Sequence, residues 1–154
     1  MPVKDRAHLI KFAKSSIVDQ NFKDWELLII DDGSMDNTWQ IIREAEQMRK
    51  IRGIRLKRHM GLVEALNVGN KEARGEIIVK QDSDDLSLPN RLEVIDREIK
   101  DAEFFYHGMY QTWQGEPGDR IRRAYIPALP IERERILKEQ YIPGAFCYTK
   151  KFIE

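Results

Sequence analysis

The sequence predicts an α/β domain with a Rossmann-like, mostly parallel sheet flanked by helices. Three observations predict it. Trp25–Ile30 and the stretch centred on Ile77-Ile78-Val79 are nearly continuous apolar runs of strand length, as in strands covered on both faces. Each run leads straight into carboxylates, Asp31-Asp32-Gly33-Ser34 in one case and Asp82-Ser83-Asp84-Asp85 in the other. Segments with helical apolar spacing separate the runs, and such alternation argues for a doubly wound parallel sheet.

The bulk properties set limits. A chain of 154 residues suits one domain with a real core. Lys plus Arg and Asp plus Glu are equal at 26 each, so a nucleic-acid partner is not expected. The single Cys147 excludes an intrachain disulfide and a multi-cysteine zinc site, and suits a reducing compartment. No apolar run approaches the ~20 residues of a membrane helix. Met1–Arg6 lacks the apolar centre of a signal peptide. The expected location is the cytoplasm, with peripheral contact at the cytoplasmic face of the membrane as an extension of it.

Taken in order, Met1-Pro2-Val3 reads as the end of an element. Arg6–Asp19 reads as a helix with Leu9, Ile10, Ala13, Ile17 and Val18 on one face. Trp25–Ile30 is a strand. Asp36-Asn37-Thr38 offers N-caps for a helix reaching about Lys50, with Trp39, Ile42, Ala45 and Met48 as its stripe. Gly53 ends the connection, and Ile54–Lys57 alternates like a half-exposed strand. Gly61 opens a helix through Ala65 and Leu66, interrupted near Gly69, and Gly75 closes it. After the second acidic turn, Pro89 suits the first turn of a helix to Lys100, with Leu92, Ile95 and Ile99 inward. Glu103–His107 and Met109–Trp113 read as short aromatic strands. A hairpin follows through Arg120–Tyr125, then a helix from Ile131 to Glu139, an irregular Tyr141–Phe146 and the start of a last helix.

The acidic turns carry the chemistry. Carboxylates at the carboxyl end of a strand lie where open α/β sheets bind ligands. Packed closely, they repel unless a cation sits between them, and a divalent ion with oxygen ligands that also holds phosphates answers that need. A solvated acidic turn before a helix is the plain alternative, and Asp31-Asp32-Gly33 is also ordinary turn chemistry. His59 either touches a phosphate or lies in a solvated loop. His8 reads as exposed, and His107 as structural. Tyr110 and Trp113 line an acceptor site or pack in the core. Arg120, Arg122 and Arg123 meet an anionic surface or form a solvated face.

Four motifs in order carry a resemblance. Glu26–Ser34 with Asp36-Asn37-Thr38, then Gly61 with Ala65-Leu66-Asn67 and Gly69, then Ala73–Ile78 leading into Asp82-Ser83-Asp84-Asp85, then Leu88–Leu92, together resemble the nucleotide-binding half of family 2 glycosyltransferases. The resemblance implies a GT-A nucleotide-diphospho-sugar transferase fold. It implies metal-dependent transfer of a sugar from a UDP-, GDP- or dTDP-linked donor to a glycan, lipid or protein acceptor, with inversion. Asp32 then contacts the base, with Asp31 beside it. Asp84 is the direct ligand of Mg²⁺ or Mn²⁺, and Asp82 faces the ribose or supports the metal. Pro2, Lys4 and Arg6 fall in the loop that cups the base, while Gly61 and Asn67 complete the nucleotide-sugar-binding set. Residues 1–92 form the nucleotide-sugar-binding half, and 93–154 a partial acceptor-side half.

Two departures accompany the resemblance. The family's first strand is expected to be missing before Pro2, and the general base to fall beyond Glu154. Glu116 and Asp119 are candidates for that base only in principle. The expectation is therefore an incomplete fold, truncated at both ends, with exposed sheet edges that favour self-association. The rival functions are a nucleotide-sugar-binding fragment without turnover and a haloacid-dehalogenase-like Mg²⁺-dependent phosphatase, whose apolar strand also ends in Asp-x-Asp. A nucleotide-sugar pyrophosphorylase is disfavoured because Met1–Arg6 has no glycine. A helix–loop–helix calcium site is disfavoured because Ser87 stands where glycine is required.

Overall fold

The structure is a computed structural model that describes residues 1–99, 104–106, 129–130 and 146–150. In chain order the elements are β1 (Pro2–Val3), α1 (Ile10–Val18), β2 (Leu27–Asp31), α2 (Thr38–Ala45), β3 (Ile51–Arg55), α3 (Leu62–Glu72), β4 (Ile77–Val79), α4 (Arg91–Ile99), β5 (Phe104–Tyr106), β6 (Leu129–Pro130) and β7 (Phe146–Thr149). β1, β2 and β3 form a parallel sheet in that order. β2 is its central strand, and every one of its residues is buried. Alternation sends Leu27 and Ile29 to one face and Leu28 and Ile30 to the other. Leu27 and Ile29 join Ile10 and Ile17 of α1, Ile42 and Ala45 of α2, and Ile51 in the main core. Leu28 and Ile30 pack on Ala65 of α3, with Ile54 and Val68 alongside. This two-sided cover is the doubly wound arrangement, and each buried Leu or Ile contributes about 1.5–3 kcal/mol.

β4 departs from the parallel expectation. It pairs antiparallel with β7, and the second sheet runs β4-β7-β5-β6. α4 covers that sheet with Ile95 and Ile99, which meet Cys147, Ile77 and Val79. A cleft of 780 Å³ is lined by Leu28 and Ile30 of the first sheet, Ile77, Ile78 and Tyr148 of the second, and Gly69 of α3.

Several boundaries differ from the sequence reading. Met1–Val3 was expected to follow a missing strand, yet Pro2–Val3 is itself a strand beside β2, with Ile30 N–H donating to Met1 O at 2.9 Å. A short edge pairing of this kind leaves no periodic signature. α1 begins at Ile10 rather than Arg6, and α2 ends at Ala45, leaving Met48 exposed. β3 starts three residues before the predicted Ile54, so Gly53 lies inside the strand. A Cβ there would meet Ile42 Cγ2 at 2.4 Å, so the glycine lets α2 press on β3. Gly69 likewise sits within an unbroken α3, its Cα facing Ile30. The predicted strand Met109–Trp113, the hairpin through Arg120–Tyr125 and the helix Ile131–Glu139 lie outside the described residues, as do His107, Tyr110, Glu116, Asp119, Arg120, Arg122 and Arg123. Where a last helix is expected after Phe146, Phe146–Thr149 is instead strand β7, held between β4 and β5.

Candidate functional site

The site is built on the rim where β1, β2 and β4 end. At the end of β2 the two aspartates point to opposite faces and take different partners. Asp31 is fully buried: its Oδ1 accepts Ser34 N–H at 3.0 Å, and its Oδ2 lies 3.2 Å from Arg55 Nε. The Arg55 guanidinium in turn lies over the Trp39 ring. Asp31 therefore closes the turn from inside. Asp32 N–H donates to Val3 O at 2.9 Å, and its carboxylate faces the loop after β3. It accepts Met60 N–H at 2.6 Å, Gly61 N–H at 3.0 Å and, at 2.7 Å, a bond with His59 Nδ1. Burial works to raise the Asp32 pKa, but these donors outweigh it and hold the carboxyl below its ordinary value. Gly33 has φ of +69°, and a Cβ would meet the Arg58 and His59 backbone at 2.7 Å. Gly61 also adopts a positive φ, +93°, which turns its N–H toward Asp32 at the start of α3.

The loop after β1 is laced to the loop after β2. Asp5, at φ of +50°, donates its N–H to Ser34 Oγ at 2.9 Å and accepts Met35 N–H at 2.7 Å. Arg6 N–H reaches Thr38 Oγ1 at 2.9 Å, and Ala7 N–H reaches Asp36 Oδ2 at 3.0 Å. Asp36 also accepts Thr38 N–H at 2.9 Å, so it, rather than Asn37, caps α2. The Lys4 ammonium pairs with the Asp5 carboxylate, which raises the Lys4 pKa and lowers that of Asp5.

The second acidic turn follows β4. Asp82 lies 2.8 Å from Lys80 Nζ, and Asp85 N–H closes a turn onto Asp82 O at 3.3 Å. Asp84 is exposed, and Arg6 Nε stands 4.0 Å from its Oδ2. Burial first, then the charges of Asp82 and Asp84, push the Asp85 pKa up. The carboxylates are thus close enough to repel. Among the described residues no three His, Cys, Asp or Glu side chains converge to cage an ion. Exposed Asp84 and half-buried Asp82 are the carboxylates of this turn that could hold an ion such as Mg²⁺ or Mn²⁺, with phosphate and water filling its shell.

Of the predicted residues, Lys4, Arg6, Asp32, Gly61, Asp82 and Asp84 come from four loops, those after β1, β2, β3 and β4, and Arg6 links the first loop to the last. Asp31 stands behind this rim, Pro2 is buried within β1, and Asn67 is exposed on α3. His59, for which the sequence leaves phosphate contact and a solvated loop open, is exposed in its loop and also bonds Asp32 through Nδ1. Asp5 and Gln81 have no role in the sequence reading, and Arg91 enters it only as part of the Leu88–Leu92 motif.

Residues 1–153 match the family model described as glycosyl transferase family 2. A UDP-Glc:alpha-D-GlcNAc-diphosphoundecaprenol beta-1,3-glucosyltransferase of Escherichia coli, WfgD, is 35% identical over 112 residues, covering 72% of this chain and 44% of its own length. A Bacillus subtilis relative is 41% identical over 80 residues, 51% of this chain and 29% of its own. The chain therefore spans less than half the length of these relatives. Among solved structures, S. aureus TarS 1-349 in complex with UDP-GlcNAc superposes with a TM-score of 0.75 at 22% identity, covering 97% of this chain and 44% of that one. The mannosyltransferase PcManGT from Pyrobaculum calidifontis, in complex with GDP-Man and Mn²⁺, gives 0.65 at 24% identity over 71% and 34%. Both share the fold.

Proposed function

Because the chain belongs to glycosyl transferase family 2, we propose that it forms the donor side of an inverting, metal-dependent glycosyltransferase. The reaction moves a sugar from a nucleoside-diphosphate sugar to a glycan, lipid or protein acceptor. The observation that carries the proposal is the junction of two acidic strand ends on one rim, with Arg6 anchored at Thr38 and reaching Asp84.

Each residue has a physical task in this reading. An ionised carboxylate offers about four acceptor sites. Asp32 spends three of them on its own chain, which leaves one for the N–H of a nucleobase. Lys4 lies in the loop that cups the base, just after Pro2 of β1, and Arg6, 4.0 Å from Asp84, brings positive charge toward the diphosphate side. The positive φ of Gly61 turns its N–H onto Asp32 and steadies the carboxylate that meets the base, and Asn67 offers a polar contact further along α3. A bound Mg²⁺ or Mn²⁺, held by Asp84 with Asp82 in support, would supply a Lewis acid for the charge that develops on the departing diphosphate. Lys80 and Arg6 limit the repulsion between the carboxylates before the donor arrives. Asp31 supports this arrangement from behind the turn.

A cytoplasmic reaction, with the acceptor presented at the inner face of the membrane, belongs to the same proposal. The Escherichia coli relative supports it, since its name describes transfer to a diphosphoundecaprenol-linked sugar. Among the described residues no helix is long and apolar enough to cross a membrane.

The test is calorimetric binding of UDP-, GDP- and dTDP-sugars with and without Mn²⁺. At least one donor should bind more tightly with metal, and Asp84→Ala should remove that gain. Equal metal-dependent affinity in Asp84→Ala would contradict the assignment. Sugar transfer to an added acceptor separates a transferase from a binder without turnover.

A further inference from the structure

Resting on the donor-site reading above, we propose that Gln81, Arg91 and Gln20 are positioning residues that set the spacing of Asp82 and Asp84 and so the metal-dependent part of donor binding. Residues 80–90 form no regular element, yet buried polar side chains tie their inner side together. Gln81, Ser83 and Ser87 are buried, while Asp84 and Leu86 are exposed and Asp82 stands half-buried between them. The Gln81 carboxamide uses both ends. Its Nε2 donates to Asp82 O at 3.0 Å and Asp85 O at 2.8 Å, gripping the turn that carries Asp84. Its Oε1 accepts the Ser87 hydroxyl at 2.6 Å and the Arg91 guanidinium. Arg91 also donates to Ser87 Oγ and Lys80 O, both at 2.7 Å, so one side chain joins the two ends of the loop. Its partial burial lowers its pKa to about 10, which leaves it charged at neutral pH.

The second hold comes from α1. Gln20 is fully buried, donates to Leu88 O at 2.6 Å and to Ser16 O at 2.9 Å, and accepts Leu92 N–H at 2.9 Å. Ser87 N–H donates to Ser16 Oγ at 3.0 Å, and Asn21 N–H to Pro89 O at 2.7 Å. The parallel-sheet side of the molecule thus fixes the loop that carries the acidic turn. None of these side chains needs to touch the donor. Their part is to hold two mutually repelling carboxylates in place before an ion arrives, and pre-organisation of this kind reduces what binding must otherwise supply.

The experiment measures UDP, GDP and dTDP affinity on the full chain, with and without Mn²⁺, for wild type, Gln81→Leu, Arg91→Lys and Gln20→Leu. Arg97→Gln, on the exposed face of α4, is the control. Circular dichroism and thermal melting report folding. In the folded variants the metal-free affinity should stay within twofold of wild type, because Asp32 and its loop are untouched. The gain from Mn²⁺ should fall at least tenfold in Gln81→Leu and less in Arg91→Lys, which keeps a charge. A folded Gln81→Leu with an undiminished gain overturns the positioning role alone. Unfolding of all three variants also overturns it, since the network would then serve stability only. Absence of any metal-dependent gain in wild type overturns the donor reading itself.

Discussion

Asp31 and Asp32 are neighbours of the same chemistry, and the strand separates their fates. One carboxylate is turned inward to an arginine and a turn amide, the other outward to the loop after β3. Because three donors hold Asp32 below its ordinary pKa, its charged form is bonded more strongly in the folded chain than in the unfolded one. Its contribution is present above the ordinary carboxylate range and is lost as pH falls through the depressed folded value. Asp32→Asn presents an amide donor to Met60 or Gly61 N–H. We expect it to lose about 1–3 kcal/mol at neutral pH and to flatten the acid limb of stability. Urea unfolding from neutral pH into the acid range checks this, and parallel curves for the two proteins would count against it.

At the scale of elements, two glycines decide how closely parts approach. Gly53→Ala places a methyl against the buried Ile42 side chain at 2.4 Å. Overpacking of this kind costs about 1–3 kcal/mol, and a lowered denaturation midpoint with an unchanged slope would report it. Gly33→Ala is different, because the clash is with backbone at Arg58 and His59 and the residue has positive φ. It should push the loop after β3 off Asp32 and weaken metal-free nucleotide binding at least tenfold; binding equal to wild type would show that the loop does not need this approach. The sequence made α2 and α4 readable because their apolar positions repeat at helical spacing, and β2 because its apolar run is nearly continuous. It misplaced β3 because a glycine reads as a break whether it ends a strand or admits a helix. The acidic turns were visible for a simple reason: a charged cluster directly after a buried strand has few ordinary explanations. The network behind the second turn was not visible, since Gln20, Gln81 and Arg91 are ordinary surface types until the fold brings α1 beside the loop.

For the whole molecule, the apolar interior divides between the parallel sheet with α1, α2 and α3 and the antiparallel sheet with α4. No local pattern foretells the pairing of β4 with β7, which joins residues about 70 positions apart. The division predicts unequal consequences for core deletions. Ile42→Ala should cost about 2–5 kcal/mol and loosen β2 and β3. Ile95→Ala should speed amide hydrogen exchange in β4 and β7 while β2 keeps its protection. Uniform acceleration across both sheets in Ile95→Ala would mean that they open as one unit.

Cys147 is opposite Val79 on one side and Phe105 on the other, in the middle of the antiparallel sheet. Burial pushes its thiol up to about 12, against a smaller opposing effect of Arg91. At neutral pH the sulfur is protonated and shielded, so alkylating reagents that attack through the thiolate find little to react with. The native chain is therefore a silent background for site-specific labelling: a cysteine introduced at exposed Met35 can carry a fluorophore while Cys147 stays unmodified. The same thiol becomes a timer for opening, because its rate of alkylation counts each event that parts β7 from its neighbours.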